Sequence, residues 1–127
     1  MNVSSSYARP RPTSGAELYS WLFMRISGLV LLFLALGHLV IMHLINNVDR
    51  IDYQFVAARW AGWFWRGYDL VLLTLALIHG LNGLRVILDD YVPPAWRRVS
   101  VRTLYLVGAV MLALGVFAAV SFHPVGS

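Results

Sequence analysis

The chain has 127 residues, 59% of them hydrophobic and 13% charged, with a formal net charge of +4 and no cysteine. Soluble domains carry about 25% charged residues, so this composition, with a mean hydropathy of +0.68, argues against a disordered chain or a soluble enzyme and fits a membrane protein. The lack of cysteine excludes disulfides, thiolate zinc sites and cysteine-ligated iron–sulfur clusters within the chain.

Residues 1–18 contain Ser, Pro and Arg but no apolar core. They read as a mature cytoplasmic tail rather than a signal peptide, with a helix beginning near Ser14 and Gly15 and Glu17 in its first turn. Residues 19–122 then form one membrane domain built on three long apolar runs. They cover about 19–45, interrupted by Arg25, His38 and His43; 70–88, interrupted by His79, Asn82 and Arg85; and 103–122, with no charge. A helix crosses the hydrocarbon core in about 20 residues, and each run is long enough. The alternation of a transmembrane barrel strand is missing. The fold class is therefore all-α, with three transmembrane helices. Residues 123–127 form a short tail.

The connection at 46–69 holds Trp60, Trp63, Phe64 and Trp65, which read as an interfacial aromatic belt on a short helix in the headgroup plane. Pro93 and Pro94 stop the second helix. All ten cations are arginine. Seven fall on the side of the N-terminus and the second connection (Arg9, Arg11, Arg25, Arg85, Arg97, Arg98, Arg102). Three fall in the first connection (Arg50, Arg59, Arg66), beside Asp49, Asp52 and Asp69. The positive-inside rule places the N-terminus in the cytoplasm and the C-terminus outside, in a multi-pass protein of the cell (inner) membrane. Topology explains the basicity, and no nucleic-acid partner is expected.

An ionisable residue inside an apolar run is costly unless buried or paired, so each is a functional candidate. His79 lies mid-way along the second helix, between Ile78 and Gly80. Such an imidazole serves as haem iron ligand, proton relay or interhelical hydrogen bond. Gly80 and Gly83 are expected to leave room beside it. Asp90 follows His79 by eleven residues, which puts both on one helix face about 16 Å apart. The adjacent Tyr91 is a phenol at the level where a quinone carbonyl can accept its hydrogen bond; alternatively, Asp90 and Tyr91 only solvate the helix end. Arg25 either snorkels to headgroups or binds an anion such as a haem propionate. Arg85 has the same two readings, plus an i,i+4 pair with Asp89. His38 is a haem-ligand candidate or an interhelical hydrogen bond, His43 is interfacial and His123 is solvated.

The run Phe23-Met24-Arg25-Ile26-Ser27-Gly28, with His79-Gly80-x-Asn82-Gly83-x-Arg85 and then Asp89-Asp90-Tyr91, resembles the small hydrophobic membrane-anchor subunit of succinate dehydrogenase (complex II), over most of the chain. The resemblance implies a helical bundle completed by a partner subunit. It implies that His79 is an axial ligand of haem b, shared with a histidine of that partner. It further implies that Tyr91 contacts the quinone, with Asp90 beside it in proton delivery. Arg25 would lie near the propionates and the quinone, and Ser27 near the same pocket. His38 departs from the single-haem pattern and adds a candidate ligand for a second haem. The partners implied are a second anchor (cytochrome b) subunit, an iron–sulfur subunit and a flavoprotein subunit, with quinone as substrate. Such a chain is a non-catalytic subunit of the enzyme complex. The rival readings are a cofactor-free structural or assembly subunit and a small transporter subunit that uses His79 and Asp90 as a proton relay.

Overall fold

The computed structural model describes residues 15–123; the expectations for the remainder of both tails fall outside the described residues. Among the described residues every regular element is helical. The order is α1 (Gly15–Leu39), a π-helical turn (Val40–Ile45), a 3-10 turn (Val48–Arg50), α2 (Tyr53–Ala61), α3 (Trp63–Tyr91) and α4 (Pro94–Ser121). Three helical stretches, Gly15–Ile45, Trp63–Tyr91 and Pro94–Ser121, are long and apolar enough to cross a membrane.

Each boundary has a local cause. The π turn ends where the Asn46 backbone N–H donates to Ile41 O at 3.1 Å and its side-chain Nδ2 donates to the same oxygen at 2.7 Å. Asp52 caps α2, its Oδ1 accepting from the Phe55 N–H at 2.8 Å. Gly62, with extended backbone, separates α2 from α3. Val92 is extended, as a residue before proline must be, and Pro94 occupies the first turn of α4, where no backbone donor is needed.

The second and third helices are longer than the apolar runs. α3 begins at Trp63 rather than near residue 70, and α4 at Pro94 rather than near residue 103. Hydropathy marks where a helix meets hydrocarbon. Arg66, Asp69, Arg97 and Arg102 interrupt the apolar pattern but leave the helical hydrogen-bond ladder intact. The aromatic residues from Trp63 to Trp65 therefore belong to the first turn of α3, and only Trp60 lies on the short helix α2.

α3 is the central helix, with α1 and α4 packed against it. Gly108 and Gly115 let α4 approach closely: a Cβ at either position would run into Leu81 or Leu73 of α3. Ala119 is fully buried on the same face of α4. Few other apolar side chains are enclosed. Phe33, Leu114 and Phe117 are 69%, 63% and 69% exposed, an arrangement suited to lipid or partner helices rather than to water. Among the described residues two polar side chains are buried, Ser27 and Arg59, and each anchors a polar cluster at a different level of the bundle.

Candidate functional site

α1 and α3 run antiparallel, so Ser20 meets Asn82, Ser27 meets His79, and Leu34 meets Tyr68. The Ser27–His79 contact joins two polar side chains within the apolar part of the bundle. Ser27 Oγ lies 2.9 Å from His79 Nδ1 and 3.5 Å from the Met24 carbonyl oxygen. With the hydroxyl proton directed to that carbonyl, Oγ accepts from Nδ1–H, and the lone pair of the imidazole resides on Nε2. Nε2 has no hydrogen-bond partner among the described residues.

The glycine that makes room for this ring is Gly28. A Cβ there would lie 3.2 Å from His79 Cε1. Gly80 and Gly83 border open or loosely filled space: a Cβ at Gly80 meets nothing within 4 Å, and one at Gly83 meets only Met24 Cε at 3.8 Å. The ring therefore lies against the facing helix α1 at Gly28.

Towards the start of α1, an open groove of about 710 Å³ lies between α1 and α3. Glu17, Ser20, Trp21, Arg25, Asn82 and Arg85 supply its polar and aromatic walls. The Arg25 guanidinium stacks on the Trp21 ring at 4.2 Å, which fixes a side chain that would otherwise sample many rotamers. Asn82 Nδ2 donates to Ser20 Oγ at 3.3 Å. That pair also borders a second, more apolar pocket of about 480 Å³, lined by Tyr19, Phe23, Ile78, Leu81 and Tyr105.

The structure brings Arg25 together with Arg85 but leaves the other expected residues elsewhere. Ser27 faces His79 and does not line the groove. α3 does persist to Asp90 and Tyr91, as the shared face with His79 requires. Neither lines the groove, and Tyr91 is 83% exposed. Asp89 accepts from Arg97 Nε at 2.7 Å and lies 3.9 Å from Arg85 Nε, which realises the expected i,i+4 pair.

His38 belongs to a cluster at the opposite end of the bundle. Its Nδ1 is 3.6 Å from Asp69 Oδ1 and makes no hydrogen bond. Asp69 accepts from Trp60 Nε1 at 2.7 Å and from Arg59 Nη2 at 3.3 Å. The Arg59 guanidinium stacks on Trp65 at 4.1 Å. Tyr68 donates to the Leu34 carbonyl at 2.6 Å, and Arg66 to the Trp60 carbonyl at 2.6 Å. The sequence offered Arg59 and Asp69 only as loop charges; their ten-residue separation across the α2–α3 turn was the available signal. His43 and His123 are exposed, and His123 Nδ1 donates to the Ser121 carbonyl at 2.8 Å.

Among the described residues no three His, Asp or Glu side chains gather as a ligand set for a metal ion. The arrangement offers instead one imidazole nitrogen with its opposite nitrogen held by a neighbouring helix. That is the usual support for a ligating histidine. In comparisons with known proteins, the model of the succinate dehydrogenase/fumarate reductase transmembrane subunit family matches residues 6–122. No curated protein matches the chain.

Proposed function

Because the chain belongs to the succinate dehydrogenase/fumarate reductase transmembrane subunit family, we propose that it anchors a succinate:quinone oxidoreductase, ligates haem b through His79 and forms one wall of the quinone-reduction site. It is a multi-pass membrane protein and a non-catalytic subunit of its complex. The second anchor, the iron–sulfur subunit and the flavoprotein subunit are the partners this reading requires.

The observation that carries the haem assignment is the Ser27–His79 hydrogen bond at 2.9 Å. Ser27 holds the ring orientation and leaves the Nε2 lone pair for iron, while Gly28 allows the ring to lie against α1. When bound, haem b supplies a one-electron carrier within the membrane. His38 is a poorer candidate: its Nδ1 lacks the hydrogen bond that would fix the ring. This reading takes one haem, shared with a histidine of the partner anchor.

The quinone assignment is supported by the groove beside Arg25. Reduction to quinol takes two electrons and two protons, so the site needs positive charge for the developing oxyanion and access to water. Arg25, held on Trp21, and Arg85 supply the charge. In this reading Tyr91, exposed at the end of α3, donates a hydrogen bond to a quinone carbonyl, and Asp90 relays protons from the surface. Residues of the partner subunits close the pocket between them. Succinate oxidation itself belongs to the flavoprotein.

A reduced-minus-oxidised absorption spectrum of the membrane complex tests the haem assignment. His79→Ala is expected to abolish the b-type bands while the complex still assembles. Bands of wild-type position and intensity in that variant would show that His79 is not the ligand.

A further inference from the structure

We propose that the pocket beside Arg59, at the end of the bundle opposite the start of α1, binds the phosphate of a phospholipid headgroup. Arg59 is only 8% exposed, yet its guanidinium is poorly satisfied. Nε has no hydrogen-bond partner, Nη1 reaches only the Met42 sulfur at 3.7 Å, and Nη2 makes a long contact of 3.3 Å with Asp69. A buried cation with unmade hydrogen bonds calls for an acceptor. Asp69 accepts from Trp60 Nε1 and from Nη2, while Nε has no partner and Nη1 reaches only sulfur.

Arg59 lines a pocket of about 280 Å³ with Ile41, Asn46, Phe55, Ala58 and Trp65. The pocket lies at the junction of the π turn, α2 and the start of α3. Trp60, Trp63, Phe64 and Trp65 concentrate at this level, as aromatic side chains do where hydrocarbon meets headgroups. Arg59 and Arg66 against Asp69 leave an excess of one positive charge among these side chains, which favours an anion. A phosphodiester offers unesterified oxygens to guanidinium N–H groups. The apolar side chains next to the pocket continue into Leu44 and Ile45, which are 75% and 71% exposed and offer a track for an acyl chain. The proposal is independent of the haem and quinone assignments.

The test uses the detergent-purified complex, stripped of lipid and titrated separately with dioleoyl-phosphatidylglycerol, dioleoylglycerol and inorganic phosphate. Thermal midpoint and bound phosphorus are read together. The phosphatidylglycerol is expected to raise the midpoint and restore bound phosphorus, with no effect of dioleoylglycerol. Arg59→Gln should raise the half-saturating lipid concentration about tenfold, and Arg50→Gln, at an exposed position, should leave it unchanged. Ala58→Leu fills the pocket while retaining the guanidinium, so it tests the site even where Arg59→Gln fails to fold; it should abolish the lipid response. Equal lipid binding by wild type and Ala58→Leu would overturn the proposal, as would a stripped complex that takes up no lipid. Equal stabilisation by inorganic phosphate would overturn the lipid as the source of the anion.

Discussion

Ser27 Oγ of α1 stands 2.9 Å from Nδ1 of His79 at the middle of α3, and Ser27 is one of the two buried polar residues in the described chain. If that hydroxyl orients a ligand, its loss should weaken the ligand without removing it. Ser27→Ala is expected to lower haem affinity about 10–100-fold, measured as haem retained per complex during dilution. Retention equal to wild type would reduce Ser27 to a packing residue.

Gly28→Ala is expected to impair haem incorporation, because the new Cβ would lie 3.2 Å from His79 Cε1 and push the ring off its seat. Gly80→Ala adds the same methyl where nothing lies within 4 Å and should gain about 1 kcal/mol of helix propensity instead. Haem content in the two variants separates a role for the facing glycine from a role for the adjacent one. Because a partner helix can cover Gly80 in the assembled complex, the comparison is made on assembled protein.

Asp69→Asn keeps the shape of the side chain but removes the charge that compensates the buried Arg59. Leaving one member of a buried pair unmatched costs about 3–5 kcal/mol. The thermal midpoint of the complex should fall, and Arg59→Met in the same background should recover part of it. Ser27 and His79 lie at another level of the bundle, so the haem spectrum should be unchanged.

Tyr91→Phe deletes a single hydroxyl from a side chain that is 83% exposed, so folding should be unaffected. The loss of one hydrogen bond to the quinone predicts a fall of up to about tenfold in quinone reduction. Succinate oxidation with a water-soluble acceptor that bypasses the quinone should remain at the wild-type rate. Unaltered quinone reduction would remove Tyr91 from the head-group site.

The sequence by itself determined the three spans, the break at Pro93 and Pro94, and the short set of polar residues that matter. These depend on composition and on periodicity along one helix, which are local properties. It also placed His79, Asp90 and Tyr91 on one helix, because α3 is continuous through all three. It did not determine the helix ends, since Arg66 or Arg97 can continue a helix beyond the apolar run. The tertiary structure alone decided that Ser27 and Gly28 face His79, that Arg25 shares with Arg85 a groove that Tyr91 does not line, and that His38 sits beside Asp69 rather than at the level of His79. These pairings depend on the rotation and register of α1 against α3. A shift of one residue turns a helix by about 100°, and only the packed side chains of both helices select among such settings.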